Sequence, residues 1–264
     1  MSFRHPCPAI LLCALTLLPA CRAVVLEDRG PCPRLVLFEV SNAEAFDDYA
    51  TVFVTASSLP REKVVGEVFT PSRDLRRKAF GFSVRETDAL QGYGLIGSEG
   101  LYHQGSAWMA MQGRDYVPLF RFAYAVQLRQ EETVVPVEFV KDYIGLTLQL
   151  VGSQTPVTLT VTGDTAGIDA LSGTPVPGSF SCRPRQVGPG RFECHLPRPG
   201  GTDLELQLLG EGNSLRLNLY EILSRQASLT QKNLPDFTLE LDVETLSLHL
   251  NVSPWEEQIL TYEY

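Results

Sequence analysis

The chain of 264 residues has few of the residues and none of the spacings on which most catalysis depends. It holds four histidines, and those beyond the first twenty residues, His103, His195 and His249, lie far apart. No His-Glu-x-x-His pair, Gly-x-Ser-x-Gly elbow or phosphate-cradling P-loop occurs, so the arrangements behind zinc hydrolysis, serine hydrolysis and nucleotide cleavage are missing. Positive charge is also scarce: 22 basic against 31 acidic residues give a formal charge of −9. Such a body is a poor partner for nucleic acid or anionic headgroups. Long stretches of helical periodicity are nearly absent, which argues against a helical bundle. The expectation is a protein that is not an enzyme, with no cofactor, no metal and no small-molecule substrate.

What is present begins at the N-terminus. Arg4 and His5 precede the apolar segment Ala9 to Leu18, which is too short to cross a bilayer and ends in Leu18-Pro19-Ala20-Cys21. This reads as a bacterial lipoprotein signal over residues 1–20, with Cys21 as the first mature residue and its sulfur as the lipid-bearing atom. The alternative is ordinary secretion with cleavage after Ala23. Removal of the signal takes the charge to about −10. An acylated Cys21 would hold the body on a membrane without spanning it. The mature chain keeps Cys21, Cys32, Cys182 and Cys194 in a compartment that permits disulfides.

The rest of the sequence reads as strands. Arg34-Leu-Val-Leu-Phe-Glu-Val40, Ala50 to Thr55, Lys63 to Phe69, Lys78 to Val84, Ala107 to Met111, Arg121 to Leu128 and Thr133 to Val140 are rich in β-branched and aromatic residues. Ile144 to Val151 and Val157 to Thr162 follow, then a turn-rich stretch from Gly163 to Gly178. Further candidates lie at 178–182, 191–196, 204–209, 214–220, 237–243, 245–252 and 258–264. In Thr245 to Val252 the alternation is strict, which puts His249 on the solvent side. The expected architecture is all-β: a lipidated tether over 21–33, one β-sandwich over 34–135 and a second over 136–264.

Several motifs have two readings. Gly92-Tyr-Gly-Leu-Ile-Gly97 spells a dinucleotide fingerprint, but no βαβ unit surrounds it, so it reads as a glycine-rich loop. The acid pairs Asp47-Asp48, Glu131-Glu132 and Glu256-Glu257 read as solvated edges. Asp164 and Asp169 around Gly167 offer too few oxygens for an ordinary calcium loop. Cys182 and Cys194 flank a turn-rich segment between two candidate strands, and a disulfide closing that hairpin is expected. Two reduced core thiols are the alternative, and Cys32 is left over beside two prolines.

These residues resemble the anchoring subunits of Bacteroidia-type fimbriae, also called type V pili. The resemblance runs through Glu27-Asp-Arg-Gly-Pro-Cys-Pro33 leading into the first strand, Gly113-Arg-Asp-Tyr-Val-Pro-Leu-Phe120, Lys141-Asp142-Tyr143 between the two halves, and Thr238 to Val252 closing on Trp255. It implies two transthyretin-like β-sandwiches in tandem, lipid-anchored through Cys21 to the outer membrane at the cell surface. It further implies fimbrial shaft pilins as partners through strand exchange, in which a donated strand satisfies an open sheet edge and fills an apolar groove at once. The candidate donor is Gln258-Ile259-Leu260-Thr261-Tyr262-Glu263-Tyr264; an ordinary last strand in its own sheet is the alternative. Arg22, Arg29 and Arg34 with no long propeptide favour an anchor over a polymerising shaft unit. The competing function is a surface lipoprotein that binds glycan, with Trp108, Tyr116 or Trp255 as stacking platforms.

Overall fold

Short segments of alternating apolar and polar residues, punctuated by glycine and proline, can bury an apolar face only by pairing into sheets and stacking the sheets. The computed structural model shows this outcome; it describes residues 33–46, 51–59, 63–70, 74–75, 80–85, 87–152, 157–210, 213–242 and 247–254. The first half comprises β1 (Arg34–Val40), β2 (Val52–Ser58), β3 (Lys63–Thr70), β4 (Gly81–Val84), β5 (Ala89–Ile96), β6 (Leu101–Gln104), β7 (Ala107–Ala110), β8 (Phe120–Gln127), β9 (Glu132–Val137) and β10 (Val140–Lys141). The second comprises β11 (Tyr143–Val151), β12 (Thr158–Asp169), β13 (Pro175–Cys182), β14 (Arg185–Gly188), β15 (Arg191–Pro197), β16 (Leu204–Gly210), β17 (Asn213–Asn218), the short helix α1 (Leu219–Ser224), β18 (Asp236–Asp242) and β19 (Leu248–Ser253).

Four sheets form two sandwiches. In the first, the order β4-β1-β9 faces β10-β8-β5-β2-β3; in the second, β14-β15-β11-β18-β19 faces β17-β16-β12-β7-β6, with β13 also paired to β12. The same pairing scheme is used twice. β1 lies between antiparallel β4 and parallel β9, as β11 lies between antiparallel β15 and parallel β18. Likewise β3-β2-β5-β8 matches β13-β12-β16-β17. The fold class is therefore all-β, two sandwiches in tandem, each built on one seven-strand plan.

The cores differ in chemistry. The first is aromatic: Phe38 packs edge-on to Tyr124 at 4.9 Å, Phe122 to Phe139 at 4.9 Å and Phe46 to Phe120 at 5.0 Å, geometries favoured by the ring quadrupole. The second is aliphatic, with Leu146, Leu148, Leu196, Leu206 and Leu239 buried.

The strands depart from the sequence reading in three places. Residues 92–97 are not a loop: they lie in and just after β5, a buried central strand. The glycines are there for close approach, since a Cβ on Gly94 would stand 2.2 Å from the Phe122 ring and one on Gly92 2.7 Å from the Tyr124 hydroxyl oxygen. Second, the stretch 163–178 is mostly strand, because β12 runs unbroken in chain to Asp169 and the turn is confined to 170–174. Gly167 again answers to packing, its missing Cβ leaving room for the Trp108 carbonyl. Third, the expected division at 135–136 falls inside β9, which pairs with β1, and the β6–β7 hairpin from the first half joins the second sandwich through β12.

Candidate functional site

The most unusual chemistry of the described residues lies where the sandwiches meet. Asp142, between β10 and β11, is fully buried, and its carboxylate is gripped by two guanidiniums from opposite sides. Arg121 comes from β8 of the first sandwich; Arg198, just after β15 of the second, donates its Nε–H to Asp142 Oδ1 at 2.7 Å. The remaining Arg198 donors reach the carbonyls of Gln231 at 2.8 Å and Lys232 at 2.9 Å. Burial pushes the Asp142 carboxyl up, and the charges of Arg121 and Arg198 hold it down. Beside it Lys141, also fully buried, donates to Asp236 Oδ1 at 2.7 Å, Leu234 O at 2.8 Å and Tyr143 O at 3.1 Å. Burial pushes this ammonium below its ordinary range, and Asp236 opposes the shift. The hydroxyl of Tyr116 is enclosed nearby without a hydrogen-bond partner, and burial pushes its pKa up.

Each sandwich contributes to this cluster because chain connection and strand pairing converge there. Asp142 N–H donates to Leu119 O, and Lys141 N–H to Asn233 Oδ1. These ion pairs link residues of the first sandwich to residues of the second away from water. A groove of about 710 Å³ is lined by Glu138, by residues of the segment 226–235 and by Val252 and Pro254. Among its lining residues Lys232 pairs with Glu138 at 2.6 Å.

A second seam is aromatic. Trp108 on β7 packs 5.5 Å from Phe53 on β2 and donates its indole N–H to the Tyr93 hydroxyl at 3.2 Å. His103 stacks on the same indole at 4.7 Å. The turn between β6 and β7 is tied to the end of β12 by Ser106, whose hydroxyl donates to Asp169 Oδ2. Ser172 donates to the other oxygen of Asp169 through its N–H at 2.7 Å and its hydroxyl at 2.8 Å. Against burial, which raises it, these bonds hold the Asp169 carboxylate below its ordinary range.

The residues singled out from the sequence fall as follows. Cys21, Cys32, Asp47, Asp48, Trp255, Glu256, Glu257 and the segment Gln258 to Tyr264 lie outside the described residues. Cys182 and Cys194 do not close a hairpin: β15 has β14 as its hairpin partner, while Cys182 belongs to β13 in the opposite sheet. Both are buried thiols on facing sheets of the second sandwich. Trp108 and Tyr116 are buried, at 7% and 2% exposure, so neither offers a free face for a sugar. Among the described residues the exposed Phe and Tyr rings are Phe69, at 69%, and Tyr102, at 47%. His249 faces solvent, and Glu131 and Glu132 are exposed. Among the described residues no group of three or more His, Cys, Asp or Glu side chains could hold a metal ion, and no helix is long and apolar enough to cross a membrane. The ionic junction was not read from the sequence; the run Lys141-Asp142 between apolar strands was its one local trace.

The fold is therefore two tandem β-sandwiches of one plan, joined by a buried ionic junction. Among solved structures it is similar to the fimbrial anchor protein Mfa2 from Porphyromonas gingivalis, with 13% identity over 85% of this chain and 98% of that one, at a TM-score of 0.64. It is similar as well to a protein provisionally described as polysaccharide-binding from Bacteroides thetaiotaomicron, with 13% identity, 86% and 99% coverage and a TM-score of 0.61. A protein provisionally described as an adhesin from Bacteroides ovatus gives 14% identity, 88% and 95% coverage and 0.58. No family model and no curated sequence matches the chain.

Proposed function

We propose that this chain is a structural subunit of a surface filament, held to the outer membrane by lipid on Cys21 and bound to fimbrial pilins through strand pairing. The observation that carries this reading is the shared fold with a fimbrial anchor, which extends over nearly the whole of that chain. Rigid coupling of the two sandwiches suits a part that transmits load between a membrane and a filament. The last described strand, β19, is the outer strand of its sheet; Gln258 to Tyr264 is the proposed donor. A second reading, binding of glycan, draws on the exposed rings of Phe69 and Tyr102 and on the neighbour described as polysaccharide-binding.

The test is the intact mass of protein extracted from membranes, with a Cys21→Ala variant beside it. An acylated chain beginning at Cys21, and filaments shed into the medium by the variant, are the expected results. An unacylated chain beginning near Val24, or shedding of nothing, overturns the anchor. Saturable binding to a glycan array, lost in Phe69→Ala, would then favour the second reading.

A further inference from the structure

We propose that Cys182 and Cys194 are joined in the exported protein by a disulfide that staples the two sheets of the second sandwich together. The two cysteines are separated in the chain by the β14 hairpin and belong to opposite sheets: Cys182 is in register with Val161 of β12, Cys194 with Leu146 of β11. Only the stacking of those sheets brings them together. Both side chains are buried, at 0% and 2% exposure, in one apolar core with Val161 and Leu146, and the Cys182 thiol pushes the Cys194 thiol up. Buried cysteines on facing sheets can reach bonding geometry by side-chain rotation where their Cα atoms stand within about 7 Å.

The location gives the bond a purpose. β13 is paired only with β12 among the described residues, and that pairing is interrupted by register shifts between Gly163 and Thr165 and between Thr165 and Gly167. Such bulges let one end of a paired strand open independently of the other. A covalent link from its end to β15 ties it to the opposite sheet. Because both sulfurs are shielded in the folded protein, the bond forms while the chain folds. One thiolate attacks a disulfide supplied by a protein or small-molecule thiol oxidant, and the second cysteine then displaces that donor. Cys182 and Cys194 lose two electrons and two protons, and the donor leaves as two thiols.

The inference rests on export to an oxidising compartment, and the experiment separates that premise from the geometry. Arg185 and Arg191 let trypsin place the cysteines on different peptides. The full chain, taken from membranes under acid quench and digested without reductant, is expected to give one linked peptide pair that separates on reduction. Denatured chain refolded in a glutathione redox buffer is expected to give the same pair, and reduction is expected to lower the melting midpoint by about 5 °C. Cys182→Ala with Cys194→Ala should abolish that response, which excludes Cys21 and Cys32 as its source. Free thiols at both positions after oxidative refolding overturn the proposal on geometry. A linked pair after refolding but free thiols in the native protein overturn it for the native protein, and count against export.

Discussion

Asp142 shows how a single side chain can determine the relation of two domains. Its carboxylate is shared by guanidiniums from both sandwiches, so removing its charge leaves two buried cations facing each other. Asp142→Asn is expected to destabilise the protein by about 3–5 kcal/mol, measured by urea unfolding. Lys232→Met, which breaks the exposed pair to Glu138, should change stability by less than about 1 kcal/mol. Equal effects would contradict the dominant role given to the buried junction. Asp169 makes the pH argument. Its folded pKa lies below the ordinary value, so the stability it contributes is present above about pH 4 and is lost as pH falls through the folded value. Asp169→Asn should therefore lower stability at neutral pH and flatten the loss of stability on acidification. An acid unfolding curve that keeps the wild-type slope would show that the serine bonds to Asp169 have no such effect.

At the scale of elements, glycine does two different jobs. In β5, Gly94 makes room for a ring from the neighbouring strand, whereas Gly105, in the two-residue turn between β6 and β7, has open space around it and a φ of +61°. Gly94→Ala is expected to cost about 1–3 kcal/mol through overpacking. Gly105→Ala should cost about 1–2 kcal/mol through backbone strain alone. Thermal unfolding checks the sizes, and the mechanisms separate by near-UV circular dichroism: the first substitution should perturb the aromatic signal and the second leave it unchanged. The glycine spacing in 92–97 misled the sequence reading for a physical reason. Glycine is scarce in strands because it has no side chain to pack, yet where aromatic rings lie across the backbone that lack is what permits the strand. Period-two alternation was legible where one face meets water, as in β1, β8 and β11, and illegible in β5, which is buried on both faces.

For the whole molecule, the aromatic seam and the ionic junction predict that the sandwiches unfold together. Calorimetry is expected to show one transition whose calorimetric and van't Hoff enthalpies agree. Trp108→Ala, which empties the seam at Phe53 and Tyr93, should cost about 3–5 kcal/mol and separate the transition into two. Two transitions in the unsubstituted protein would show that the junctions do not couple the halves. In the proposed anchoring role such cooperativity matters, since a weak hinge between sandwiches would yield first.

The sequence by itself determined the class of fold: β-branched and aromatic alternation leaves no way to bury an apolar face except in stacked sheets. It also showed His249 on a solvent face, because strict alternation leaves it no other side. Only the tertiary structure decided which strands are neighbours, and so which distant residues meet. Partners such as Arg121, Asp142 and Arg198, or Cys182 and Cys194 on opposing sheets, are set by the stacking of whole sheets. No local pattern of residues records that stacking.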